Sequence, residues 1–251
     1  MIKIERIEAP SQLTPEVVAD KTRQYKENHN KAVWREPYIE STLMKMSNEK
    51  CSYCECKLGI ESNFMEVEHF HDKSSNPDEV VVWENLLPSC KNCNGNKGDH
   101  DTVMYPIVNP TIDDPRNHLG FKDFRYKGKT EIGKETVFCL DLNDTEKQCM
   151  ARFRICTELN KKIEELLDSL DDLEEFTARK REIRKTKIKN SVIDLLENCQ
   201  CDRAYTAIKA TTLANNNDYF RLVDNMKRLC LWTSQHEILE CKMKKYVMDI
   251  I

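Results

Sequence analysis

The sequence predicts an α+β protein, mostly α, in which a small turn-rich module precedes a helical C-terminal region. Three observations carry this expectation. All 6 glycines and 8 prolines fall between Pro10 and Gly133, so the last 118 of the 251 residues hold no helix breaker. Ile163, Leu166, Leu167, Leu170 and Leu173 follow the i, i+3, i+4, i+7 rhythm of one buried helix face. Cys51-x2-Cys54 and Cys90-x2-Cys93 bracket a stretch dense in His, Asn, Asp, Glu and Gly.

The elements follow in order. Ile2, Ile4 and Ile7 give a short apolar alternation at the start. Pro15 is placed to open a helix over about 16–28, because the N–H that proline lacks is unsatisfied in a first turn anyway. A second helix is expected over about 36–46. Pro106, Pro110, Pro115, Gly120, Gly128 and Gly133 mark a connector. Within it, 121–126 and 130–140 are expected as a hairpin around Lys127-Gly128-Lys129. From Asp144 onward the expectation is helix, with further helices at about 179–198, 202–214, 217–232 and 235–250 and a break at Asn215-Asn216-Asn217. The expected divisions are an N-terminal helical arm (1–46), a metal-braced module (47–105), a connector with hairpin (106–143) and a helical region suited to partner docking (144–251).

At 39% hydrophobic and 33% charged, the chain can bury a core and is not of the disordered class. No apolar run approaches the roughly 18–20 residues of a membrane span. Met1-Ile2-Lys3-Ile4-Glu5-Arg6 lacks a signal peptide's apolar core, so a cytoplasmic location and no membrane partner are expected. Thiols stay reduced in that compartment, and paired cysteines there point to metal. The net charge of −4 gives no global attraction to nucleic acid. Charge is blocked locally. Residues 161–175 carry seven acids, and 179–189 carry seven bases (Arg179, Lys180, Arg181, Arg184, Lys185, Lys187, Lys189) against Glu182. That strip reads either as a solvated helix face or as a surface for phosphates or a partner.

Cys51, Cys54, Cys90 and Cys93 have the spacing of one four-thiolate structural Zn2+ site. Four protein ligands leave no open position, so such a metal braces rather than catalyses. It supplies on the order of 10 kcal/mol to a segment with little core. Cys56 reads as a bystander, and Cys199-x-Cys201 lacks the spacing of a second knuckle.

Between and after the knuckles stand Glu66-Val67-Glu68-His69-Phe70-His71-Asp72-Lys73, Trp83-Glu84-Asn85-Leu86-Leu87 and Cys93-Asn94-Gly95-Asn96-Lys97-Gly98. This order of features over about 51–98 resembles the HNH endonuclease motif on its ββα-metal fold, in the form braced by four cysteines. The resemblance implies that Glu68 binds a catalytic Mg2+ or Mn2+ and that His69 is the general base. It makes Asn94, or alternatively Asn96, the second metal ligand, and gives Asn85 the task of tying the loop that holds the histidine. Oxygen ligands with open water positions suit those ions. His71, Lys73 and Lys97 are candidate phosphate contacts. His100, His118 and His236 have no supporting context.

A narrower pattern joins Cys51-Ser52-Tyr53-Cys54-Glu55, Val67-Glu68-His69-Phe70-x-x-Lys73, Asn85-Leu86-Leu87-x-Ser89-Cys90 and Asn109-Pro110-x-x-Asp113-Asp114-Pro115. It looks like the HNH subunit of Septu-type anti-phage defence (PtuB-like), relatives of which accompany some retrons. The likeness runs over roughly residues 1–155, and departs where His71-Asp72 replace the family's common Arg-Pro. It implies an effector nuclease working with an ABC/SMC-like ATPase, and in a retron setting with a reverse transcriptase and its nucleic acid. The substrate is DNA or, as the alternative, RNA such as tRNA. The rival from another class is a non-catalytic zinc module that binds nucleic acid or protein. It gives no reason for Glu68, His69, Asn85 and Asn94 to occur together.

Overall fold

Helix α1 (Pro15–Glu27) starts at a side-chain cap, with Thr14 Oγ1 accepting from the Val17 N–H and Pro15 filling the first turn. The computed structural model describes residues 1–60 and 63–251. Two units divide these, residues 1–120 with 126–144, and residues 121–125 with 145–251.

In the first unit, helix α2 (Pro37–Met46) buries Ile39, Leu43 and Met46, an i, i+4, i+7 stripe. Strands β1 (Met65–His69) and β2 (Leu86–Cys90) pair antiparallel, with Glu68 opposite Leu87 and His69 opposite Leu86. Helix α3 (Lys91–Lys97) follows at once, capped by Cys90 Sγ accepting from the Cys93 N–H. This is a ββα unit. Ahead of it, Arg6 donates to the carbonyls of Trp83, Leu86 and Glu84 at 2.7, 3.1 and 3.0 Å and to Thr111 Oγ1 at 2.9 Å. Ile2 and Ile4 are buried but form no strand, and the Ile4 N–H donates to the Pro110 carbonyl.

The expected hairpin is corrected. Helix α4 (Pro115–His118) leads into β3 (Leu119–Lys122), which pairs with β4 (Arg125–Gly128) through a loop containing left-handed Asp123 (φ 53°). The segment expected as the second strand is helix α5 (Glu131–Cys139), capped by Thr130 Oγ1 accepting from the Gly133 N–H at 3.1 Å. Gly133 serves close approach rather than a turn, since a Cβ there would lie 2.0 Å from the His118 carbonyl oxygen.

The second unit is helical. It comprises α6 (Met150–Asp171), α7 (Ala178–Glu197), α8 (Thr206–Ala214), α9 (Asn217–Arg228) and α10 (Ser234–Lys244). All five residues of the predicted stripe, Ile163 to Leu173, are buried in its core with Ile188, Val192, Leu196, Leu213, Leu222 and Met226. Helix α8 starts later than expected because Tyr205 is left-handed (φ 57°), which a helix interior does not allow. Helices α9 and α10 end earlier than expected, at Arg228 and Lys244. Part of the basic strip has local work. Arg181 donates to the carbonyls of Leu173, Glu174 and Phe176, and the Arg184 guanidinium sits 3.8 Å from the Phe176 ring centre. Among the described residues, no helix is long and apolar enough to cross a membrane.

Candidate active site

The brace comes first. Cys51 and Cys54 lie in the loop before β1, Cys90 ends β2, and Cys93 sits in the first turn of α3. All four are buried, and their Sγ atoms lie within 4.8 Å of one another. Cys54 Sγ and Cys90 Sγ are 3.8 Å apart. A tetrahedron with Zn–S bonds of about 2.3 Å has edges of about 3.8 Å. The donor set therefore fits zinc in size, softness and number. Cys56 is outside this group, and its Sγ takes the Asn63 Nδ2 donor at 3.2 Å. None of the 12 cysteines is disulfide-bonded. Cys199 is buried and Cys201 exposed, as two unrelated thiols would be.

The four-cysteine cluster spans the end of β2 and the start of α3, and these position the second group of residues. Along β1, successive side chains alternate, so Glu66 and Glu68 share one face. His69 is the last residue of the strand, where the backbone can bend its ring toward the same space as its neighbour. A cleft of about 500 Å3 is lined by Glu66, Glu68, His69, Asp72, Lys73 and Asn94, together with Trp34 from the N-terminal arm.

His69 is buried, and its Nε2 lies 2.8 Å from the Val80 carbonyl oxygen. A carbonyl accepts only, so Nε2 carries the hydrogen in the neutral ring, and Nδ1 keeps the lone pair. Burial lowers the His69 pKa to about 4, the Val80 bond opposing it. The ring is therefore neutral near pH 7. The Trp34 ring packs edge-on against it at 4.8 Å and 87°.

Glu68 is also buried, and burial raises its pKa to about 7, with the Lys97 ammonium pulling the other way. Lys97 Nζ stands 2.8 Å from Glu68 Oε1 and donates to the His69 carbonyl at 2.8 Å. Lys97 is thus corrected as a phosphate contact: its ammonium is sealed in the protein. Asn94 Nδ2 donates to Glu66 Oε2 at 2.5 Å, whereas Asn96 turns away and donates to the Leu140 carbonyl. Of the two asparagines, Asn94 lines the cleft.

Asn85 sits in the short 3-10 turn before β2 and spans the loop between the strands. It accepts from the His71 N–H at 2.7 Å and donates to the carbonyls of His71 and Glu79 at 3.0 and 3.3 Å. Glu79 adjoins Val80, so this knot lies next to the carbonyl that holds His69. His71 pairs with Glu79 Oε2 at 2.7 Å and is not among the cleft residues. Lys73 faces the cleft with its ammonium 5.3 Å from the Trp34 ring centre. His100, His118 and His236 lie elsewhere, bonded to Tyr105, Thr130, and Thr233 with Lys189.

Among the cleft residues not anticipated are Glu66, Asp72 and Trp34. Glu66 carried a readable signal, because it stands two positions before Glu68 on a strand. Trp34 carried none, lying 35 residues upstream in unrelated sequence.

The family model described as HNH endonuclease matches residues 51–100. A Septu protein PtuB of Bacillus thuringiensis is 39% identical over 248 residues, spanning 99% of this chain and 95% of that protein. A Septu protein PtuB of Bacillus mycoides (strain KBAB4) is 27% identical over 195 residues, 61% of this chain and 64% of that one. The likeness extends through both units, well beyond the segment that the nuclease model matches. The chain belongs to the Septu PtuB family and is an HNH endonuclease.

Proposed function

We propose that the chain hydrolyses nucleic-acid phosphodiester bonds with His69 as general base and a divalent ion, Mg2+ or Mn2+, held by Glu68 and Asn94. The observation that carries this is the His69 ring, kept neutral by burial, with Nε2 tied to Val80, in the cleft that also holds Glu68 and Asn94. Nδ1 takes the proton of the attacking water. Asn85 fixes the loop that carries Val80, and so the tautomer of the base. In this reading Lys73, which lines the cleft, meets a phosphate oxygen. When bound, a divalent ion supplies the charge that the pentavalent phosphorus and departing oxygen require. Zn2+ at the four cysteines holds the scaffold.

His69→Ala should cut cleavage by roughly 10²–10⁴-fold while the protein stays folded and zinc-loaded. Full cleavage by such a variant would overturn the assignment. Activated water does not need a ribose 2′-hydroxyl, so the site's chemistry serves DNA and RNA alike. Parallel incubation with duplex DNA, mRNA and tRNA identifies the substrate.

We further propose that the protein is an anti-phage effector acting with an ABC/SMC-like ATPase, and in a retron setting with a reverse transcriptase. Its relatives' names and the helical unit, with the basic residues of α7, support this. Removing residues after 150 should abolish co-purification with the ATPase and leave zinc content at one per chain. Recovery of a full complex from that truncation would reject the docking role.

A further inference from the structure

Lys97 is the last residue of α3, three positions after Asn94. Its side chain is 1% exposed and that of Glu68 is 2% exposed. A carboxylate so enclosed requires a counter-charge, because removing one partner of a buried ion pair costs several kcal/mol. The ammonium provides it at 2.8 Å from Glu68 Oε1. It also holds the His69 carbonyl at 2.8 Å, so one cation ties the Glu68 carboxylate to the backbone of His69. A divalent ion at Glu68 meets that ammonium as a like charge on the same carboxylate. Lysine is a point charge on a flexible four-carbon stem, and it can withdraw from both oxygens when the ion arrives.

We propose that Lys97 is a positioning residue that stands in for the divalent ion at Glu68, so that metal loading is an exchange against this ammonium. The inference rests on the reading of Glu68 as a metal ligand. It implies that loading also loosens the hold on the His69 carbonyl, coupling metal arrival to the placement of the base.

The test is Mn2+ binding to the full-length, zinc-loaded protein, followed by the electron paramagnetic resonance signal of free Mn2+ and by the Mn2+-induced rise in Tm. Lys97→Met should bind Mn2+ about tenfold more tightly than wild type and show a larger Tm rise. Lys97→Arg should stay within about threefold of wild type, since it keeps the charge. In a Glu68→Gln background, Lys97→Met should change affinity by less than about threefold. Equal or weaker Mn2+ binding by folded Lys97→Met overturns the exchange. If Lys97→Met fails to fold, the comparison of Glu68→Gln with Lys97→Met/Glu68→Gln decides, as the pair removes both buried charges. A difference there of about tenfold or more overturns the proposal, because the lysine would then act on the ion without the carboxylate. The underlying reading fails separately. If Glu68→Gln leaves Mn2+ affinity unchanged, Glu68 is not a ligand. If Glu68→Gln weakens binding and Lys97→Met does not tighten it, the ligand stands and the exchange is wrong.

Discussion

The two units of the chain differ in what they bury beside apolar side chains. In the helical unit, leucines, isoleucines, valines and methionines from α6, α7, α8, α9 and α10 meet in one apolar core. In the nuclease unit, apolar residues such as Ile39, Leu43, Leu86, Leu87 and Val108 are joined in burial by Lys50, Glu55, Glu68, His69, Asp72, Asn85 and Lys97 and by four converging thiols. Burying polar and charged groups costs free energy unless each is paired. A catalytic cleft needs such groups, so the stability they forgo must come from elsewhere. The thiolate site is placed to supply it, at the junction of β2 and α3. The contrast teaches that the unit carrying the cleft adds buried charge and a thiol cluster to its apolar core, while the helical unit relies chiefly on its apolar core.

The sharpest way to break this comparison is to remove zinc. Chelation, or Cys90→Ala, should cost on the order of 10 kcal/mol in the nuclease unit. Limited proteolysis should then cut within residues 1–120 while 150–244 stays protected and helical by circular dichroism. Coincident loss of both regions would show that one folding unit, not two, holds the chain. The converse change is Leu196→Ala in the apolar core, where Leu196 is fully buried. It should cost about 2–5 kcal/mol and leave zinc content and cleavage intact. Loss of zinc from that variant would erase the distinction.

A smaller effect sharpens it through pH. His69 in the folded protein has its pKa lowered from 6.5 to about 4. Its contribution is present above pH 6.5 and lost as pH falls through 4. Glu68 has its pKa raised from 4.5 to about 7. Its contribution is present below pH 4.5 and lost as pH rises through 7. In the wild type the two slopes oppose each other between pH 4.5 and 6.5. Urea unfolding without added divalent ion should therefore show His69→Gln more stable at about pH 5 than at about pH 7.5, and Glu68→Gln less stable, by about 2 kcal/mol each. Parallel slopes in the two variants would mean that the cleft does not tune these groups separately.

Much of the candidate site was legible because its chemistry demands fixed spacings. Cys51, Cys54, Cys90 and Cys93 form one cluster, and Glu68, His69 and Asn94 share one cleft. The helix stripe from Ile163 to Leu173 was legible for the same kind of reason, since a 3.6-residue period leaves a mark in sequence. Three features were not. Lys97 looks like any solvated lysine, and nothing local announces that its ammonium ends on Glu68. Helix α5 was hidden because Gly128 reads as a hairpin turn and Gly133 as part of a connector, whereas both serve close backbone packing, a tertiary demand. Trp34 reaches His69 through folding alone, and no spacing rule links residues so far apart. Local periodicity and ligand geometry are written in the chain; the partners of a buried charge are not.

Arg6 carries a consequence for anyone who would move this catalyst. Its guanidinium grips the carbonyls of residues 83, 84 and 86, which flank Asn85 and open β2. A graft cut to the shared motif, at residues 51–100, would therefore leave behind the clasp on its own loop, along with the indole beside its histidine. The portable unit of inheritance here is longer than the recognisable one. Its portability begins some forty-five residues before the first cysteine, at a single arginine.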